Sequence, residues 1–226
     1  MGGRLPRALV VAVLCTAAAL VACSDDGKDP DSTESQSESD SGSPSPVDDL
    51  ILPEGTEVTP GGSALSVGDK ATVAYEVRQG VVAVLDITVT RLEKTSFEES
   101  FVGWDIDADT KTKKPYFVRA TVTNAGETDL SGRPVPLYIV DGNNTLVEAT
   151  SFESKFKPCE PGILPKKFPT GTTVDVCLVY LAPDKGDLTA VSFRPTQEYD
   201  PITWTGELQK PKPPKPDKKN KGKNKN

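Results

Sequence analysis

The chain has 226 residues, of which 36% are hydrophobic and 6% aromatic, and it carries a formal net charge of −7 without a single histidine. The lack of histidine excludes Ser-His-Asp and Cys-His catalysis. Both ends of the chain are strongly polar, and the stretch between them is long enough for one domain with a two-layer core.

Residues 1–22 have the composition of an export signal. Arg4 and Arg7 precede an apolar run at residues 8–20, which is shorter than the ~20 residues that span a bilayer. The run ends in the sequence LVAC (residues 20–23), which resembles the bacterial lipobox. That resemblance implies a thioether-linked diacylglycerol on Cys23 and cleavage just before it.

A lipid on Cys23 predicts a protein anchored on the extracellular face of the cell membrane. Each buried CH2 contributes ~0.8 kcal/mol, and two acyl chains hold stably where one is marginal. The alternative is an ordinary secretory signal that happens to end near a cysteine. In either case the protein is exported.

The remaining chain divides into three parts. Residues 23–49 start at the lipidated cysteine and form an acidic linker rich in Ser, Asp, Glu and Pro, which predicts disorder because so few apolar side chains cannot offset chain entropy. Residues 50–208 form the folded domain. Residues 209–226 carry eight lysines and one aspartate, and their Pro-rich composition predicts a second disordered tail.

The domain shows alternation of apolar and polar residues, which is typical of β-strands, and no helical periodicity. The apolar stretch at residues 172–181 is apolar on both faces and predicts a central strand. Short strands separated by Gly-, Asn- and Pro-rich turns predict an all-β sandwich. The predicted strands lie around residues 72–78, 85–90, 116–123, 135–141, 172–181, 188–193 and 201–208.

Two cysteines follow Cys23. In an exported protein, Cys159 and Cys177 form an even pair that predicts a disulfide, worth roughly 3 kcal/mol for a loop of this length. The alternative is a metal pair, which has neither a histidine nor a third cysteine to complete it.

Two stretches resemble telokin-like, immunoglobulin-like domains of secreted and lipid-anchored proteins from Gram-positive bacteria. They are YFVRATVTNAGETDLSG (residues 116–132) and the segment that ends in TGTTVDVCLVYLAP (residues 170–183). The resemblance implies an immunoglobulin-like β-sandwich in which the second cysteine pairs back along the chain. It implies little about activity, because this fold carries many functions.

An Asp-x-Asp-x-Asp run is the one candidate for metal binding. Asp105, Asp107 and Asp109 have the spacing of calcium loops, but a calcium loop would need glycine at Thr110 and glutamate at Tyr116. The alternative is a solvated hairpin between two strands. Trp104 and Trp204 could stack on a ligand, although in a chain this poor in aromatics they more readily cap the core.

These features predict a non-enzymatic, lipid-anchored binding protein of the bacterial envelope, without a cofactor. Its partner is an envelope protein or an anionic cell-wall polymer, and the lysine tail suits the polymer. The tail has no interleaved aromatic residues, so nucleic-acid recognition by base stacking is not expected. The alternatives are a merely solubilising tail and an accessory subunit of an envelope enzyme.

Overall fold

The structure, a computed structural model, describes residues 50–212. The predicted leader, Cys23, the acidic linker and the tail beyond Lys212 lie outside the described residues. Strands dominate the described part, and the two α-helices have four residues each. The elements are β1 (Ala64–Ser66), β2 (Lys70–Arg78), β3 (Val81–Lys94), α1 (Phe97–Ser100), α2 (Ala108–Lys111), β4 (Lys114–Asn124), β5 (Tyr138–Asp141), β6 (Leu146–Glu148), β7 (Thr173–Ala182), a 3-10 turn (Pro183–Lys185), β8 (Leu188–Phe193), β9 (Ile202–Thr205) and β10 (Leu208–Gln209).

The strands form two sheets that pack face to face. Sheet 1 has the order β1-β9-β8-β5-β6, and sheet 2 has the order β10-β3-β4-β7. Strand β2 pairs antiparallel with the first part of β3. Strand β10 pairs with the last part of β3, on the same edge. This architecture confirms the predicted all-β, immunoglobulin-like sandwich.

The core lies between the sheets and uses one face of each strand. Alternate residues of β3 and β4, such as Ile87 and Val122, are fully buried there. Trp204 is also fully buried, and its indole N–H donates to the carbonyl of Asp69 at 3.1 Å. The Tyr180 hydroxyl donates to the carbonyl of Leu137 at 2.8 Å across the sheets. Trp204 and Tyr180 thus pair their polar atoms with backbone carbonyls inside the domain.

Strand β7 was predicted to be central, and this prediction is wrong. It is the edge strand of sheet 2 and pairs only with β4 among the described strands. Cys177 and Val179 on its outer face are nevertheless buried, and residues 149–162 run along its free edge. The N–H of Thr150 donates to the carbonyl of Val179 at 2.7 Å, and the N–H of Cys177 donates to the carbonyl of Pro161 at 2.8 Å. Irregular chain, rather than another strand, therefore covers this edge.

Two predicted boundaries also move. The strand predicted at residues 135–141 begins only at Tyr138, because the prolines at 134 and 136 have no N–H for a ladder. The tail predicted to start at Gln209 starts later, since Leu208 and Gln209 pair in parallel with Leu92 and Glu93 of β3.

Candidate interaction surface

A second apolar cluster lies on the outer face of sheet 2, away from the main core. It holds five of the seven phenylalanines of the chain and one of its two tryptophans. Phe152 and Phe156 stack with their planes 9° apart and their centroids 4.7 Å apart, and Trp104 meets Phe156 edge-on at 5.5 Å. We call this group the aromatic cluster: its members are Phe97, Phe101, Trp104, Phe117, Phe152 and Phe156.

Two connections supply most of the aromatic cluster. The first is the β3–β4 connection, residues 95–113, which contains α1 and α2. Ser96 caps α1 by accepting the N–H of Glu99 at 3.1 Å, and Asp107 caps α2 by accepting the N–H of Thr110 at 2.7 Å. These caps fix the connection so that Phe97, Phe101 and Trp104 all face sheet 2.

The hydrogen bonds at the caps also lower the pKa of two carboxyl groups in this connection. The N–H and hydroxyl of Thr110 lower the pKa of Asp107. The backbone N–H of Glu98 and the hydroxyl of Ser96 lower the pKa of the Glu98 carboxyl group. A lowered pKa keeps each carboxylate charged to a lower pH than usual, so the cap of α2 weakens only as the pH falls through the lowered pKa of Asp107.

The second connection, between β6 and β7, is fastened to sheet 2 by a disulfide. Cys159 and Cys177 are bonded, which confirms the predicted pairing, and both sulfur-bearing side chains are buried. Cys177 lies on the outer face of β7 beside Val179, and Cys159 lies three residues after Phe156. The disulfide therefore holds the Phe152–Phe156 pair against the sheet.

Part of this cluster reaches the surface. Phe97, Trp104, Ile106 and Phe152 are only partly buried, and Val102 between them is 80% exposed. We call these five residues the aromatic patch. Contiguous apolar surface of this kind marks sites of interaction more often than scattered exposed side chains do. The patch is rigid because capped helices and a disulfide hold its backbone.

A buried charge cluster lies next to this surface. Glu93 is fully buried and accepts from Nε of Arg91 at 2.7 Å and from Nε of Arg119 at 2.9 Å. Arg119 also donates to the carbonyl of Pro158, in the disulfide-bonded connection, at 3.4 Å. Glu93 further accepts the backbone N–H of Lys212 at 3.2 Å. One carboxylate thus joins sheet 2 to the end of the described chain.

The structure separates the three candidate calcium ligands. Asp107 is committed to capping α2, and Asp105 and Asp109 are exposed on either side of it. In residues 50–212 no three His, Cys, Asp or Glu side chains come together in a way that could hold a metal ion. The segment predicted as a hairpin is instead part of a longer connection with two helical turns.

Two clefts lie elsewhere on the domain. One, of about 440 Å³, lies between residues 50–53 and the start of β3. The other, of about 420 Å³, lies between Tyr75 and Arg133, and burial raises the pKa of Tyr75 to about 12. Neither cleft includes a residue of the aromatic patch.

The fold and this surface define an immunoglobulin-like sandwich with a disulfide-fastened aromatic patch. No protein family matches the chain, and no curated protein matches it. Among solved structures it is similar to a secreted protein from Mycobacterium tuberculosis, MPT63, with 14% identity and a TM-score of 0.44 over 66% of this chain and 100% of that one. Membership in the telokin-like lipoprotein family stays a prediction. No helix within residues 50–212 is long and apolar enough to cross a membrane.

Proposed function

We propose that this protein is a non-enzymatic, lipid-anchored binding protein on the outer side of the bacterial membrane, and that the aromatic patch is its binding surface. The partly exposed, disulfide-fastened patch is the observation that carries this proposal. The export signal and the lipobox-like sequence before Cys23 support the anchor.

The aromatic patch has the residue composition of a protein–protein interface. Aromatic residues are enriched there, and Trp is frequent among the residues that contribute most to affinity. Trp104 and Phe152 are already held in place by ring contacts at 5.2 Å, so binding costs little side-chain entropy. A protein of the envelope is the partner that this surface favours.

A second candidate function rests on the lysine tail. Residues 209–226 carry eight lysines and one aspartate, which suits anionic polymers of the cell wall. Such binding depends on released counterions and therefore weakens steeply with salt. Apolar contacts of the aromatic patch do not rely on released counterions and should persist at high salt, so binding at high salt separates the two candidates.

The two candidates are tested together by co-sedimentation with purified envelope material. The double variant Val102→Ser/Trp104→Ala is expected to lower the affinity about tenfold or more at high salt. Truncating a residue that contributes strongly to an interface has an effect of this size. The matched control, Leu146→Ser/Ile163→Ser, changes two other exposed apolar residues and should bind as the unaltered chain does. Replacing the lysines at 215, 218, 219, 221, 223 and 225 with Gln tests the tail at low salt.

The outcome for the two variants shows whether the aromatic patch or the lysine tail carries the binding. Full binding of the Val102→Ser/Trp104→Ala variant at all salt concentrations contradicts the role of the patch. Loss of binding only in the lysine variant, and only at low salt, favours the tail. Circular dichroism of each variant should match that of the unaltered chain, since neither Val102 nor Trp104 belongs to the main core between the sheets.

The anchor is tested separately with Cys23→Ala. This variant lacks the thiol that would carry the lipid, so the protein should move from the membrane fraction to the medium or the soluble fraction. Cys15→Ala is the matched control, because that cysteine lies inside the leader. Unchanged fractionation of Cys23→Ala would show that the protein has no lipid on this residue.

A further inference from the structure

The last strand of the described chain lies beside the β3–β4 connection. Strand β10 runs parallel to β3, with Leu208 opposite Leu92 and Gln209 opposite Glu93. Strand β3 ends at Lys94 and continues directly into residues 95–113. Gln209 therefore lies at the end of sheet 2 from which residues 95–113 emerge.

The last described residues turn onto the side chains of sheet 2. Arg91 donates to the Gln209 side chain and, at 2.7 Å, to the carbonyl of Lys210. The N–H of Lys212 donates to Glu93. Arg119, which also pairs with Glu93, donates to the carbonyl of Pro158. The tail therefore begins beside the connection that carries Phe156, at the margin of the aromatic cluster.

The region that the tail faces has the opposite charge. Residues 95–113, here called the acidic lobe, contain five carboxylates and two lysines, a net charge of −3. Residues 213–226 contain six lysines and one aspartate, a net charge of +5. The carboxylates of the acidic lobe are Glu98, Glu99, Asp105, Asp107 and Asp109, and all five residues are exposed.

The prolines of the tail are also complementary to the aromatic residues of the acidic lobe. The tail begins with Pro213, Pro214 and Pro216, which favour a polyproline helix. Proline-rich segments in this conformation dock on aromatic surfaces at a low entropy cost. Phe97 and Trp104, both partly buried, offer such a surface inside the acidic lobe. At ~3.1 Å per residue, residues 213–219 reach about 20 Å from Lys212.

We propose that residues 213–219 of the chain dock on the acidic lobe of the same molecule, with the prolines against Phe97 and Trp104 and the lysines beside the carboxylates. This contact covers part of the aromatic patch and occupies part of the tail's charge. A partner of either surface therefore has to displace the tail. The inference goes beyond the proposed function and does not depend on the lipid anchor.

Nuclear magnetic resonance of the two tryptophan indoles tests this contact. The sample is the chain without residues 1–22 and with Cys23→Ser, labelled with 15N, at low ionic strength. Trp104 reports on the acidic lobe, while Trp204 is fully buried and bonded to Asp69, so it serves as an internal reference. Trp104→Phe assigns the two signals.

Three changes are expected to move the Trp104 signal to one common, released position. The first is replacement of the six tail lysines with Gln. The second is Glu98→Gln/Asp105→Asn in the acidic lobe. The third is salt at about 0.5 M, where charges are screened beyond a few ångströms. The Trp204 signal should stay in place in all three.

The matched control is Glu54→Gln/Glu127→Gln. It removes two exposed carboxylates near the start of β3, at the opposite end of the strand from the acidic lobe, and should leave the Trp104 signal of the unaltered chain in place. Identical Trp104 signals with and without the tail lysines at low salt would overturn the proposal. A signal that moves on dilution would also overturn it, since the tail of a second copy would then be the occupant.

Discussion

Replacing Glu93 with Ala is expected to lower the free energy of unfolding by about 3 kcal/mol, the lower end of the range for removing one partner of a buried ion pair. The carboxylate is fully buried, and the side chains of Arg91 and Arg119 are only 22% and 20% exposed. Without Glu93, two guanidinium groups with little access to water lose their charged partner. The N–H of Lys212 also loses its acceptor.

Urea unfolding followed by circular dichroism measures this effect, and Asp86→Ala is the matched control. Asp86 lies on the same strand and pairs with Lys70 at 2.9 Å; the Lys70 side chain is 59% exposed and that of Asp86 26%. Asp86 also accepts the Thr72 hydroxyl at 2.7 Å. A pair with an exposed lysine contributes at most about 1 kcal/mol and a hydrogen bond about 1 kcal/mol, so this variant should lose less stability than Glu93→Ala. If Glu93→Ala loses no more than Asp86→Ala, the charge cluster does not stabilise the domain. Glu93→Gln, which keeps the shape of the side chain, should fall between the two.

The long strands could be predicted from the sequence because alternation marks them directly. Strands β2, β3 and β4 bury every second side chain along most of their length, and a period of two is visible without any tertiary information. Of the two tryptophans expected to cap the core, Trp204 is buried in it, whereas Trp104 lies in the aromatic cluster outside it. The disulfide was predictable from an even pair of cysteines in an exported chain.

Features that depend on tertiary contacts could not be predicted. Strand β7 looks central in sequence, since burial on both faces gives the same apolar run whether a strand or irregular chain covers the edge. The β1 and β6 strands have three residues each, too few to show alternation. The helices α1 and α2 have a single turn each, too short for a helical period.

The candidate surface left only a weak signal in the sequence. Phe97, Phe101 and Trp104 follow one another at intervals of four and three residues, and Phe152 and Phe156 are four apart. These spacings occur in separate connections, and nothing local shows that both pack on the same face of sheet 2. Glu93 likewise stands in a largely polar stretch, RLEK (residues 91–94), where nothing local distinguishes it from an exposed residue. Besides Arg91, two residues earlier, its partners are Arg119 and the chain end at Lys212, which are distant in sequence.

Loss of the Cys159–Cys177 disulfide is expected to lower the free energy of unfolding by roughly 3 kcal/mol, because the bond closes a loop with a sequence separation of 18. The effect should be local as well as global. The disulfide fastens the connection that carries Phe152 and Phe156, so backbone amides near these residues should exchange with solvent much faster once it is lost. Amides in the centre of β3 should keep their relative protection, since the main core does not contact the sulfurs.

Three samples separate the bond from its packing: the oxidised chain, the same chain reduced, and Cys159→Ala/Cys177→Ala. The oxidised and reduced chains share all side chains, so their difference in urea unfolding isolates the covalent link. The difference between the reduced chain and the double variant isolates the lost sulfur contacts in the aromatic cluster. Equal stability of the oxidised and reduced chains would contradict the role of the disulfide. If the bond does hold the patch, the reduced chain should also lose binding that depends on Trp104, even where the sandwich itself stays folded.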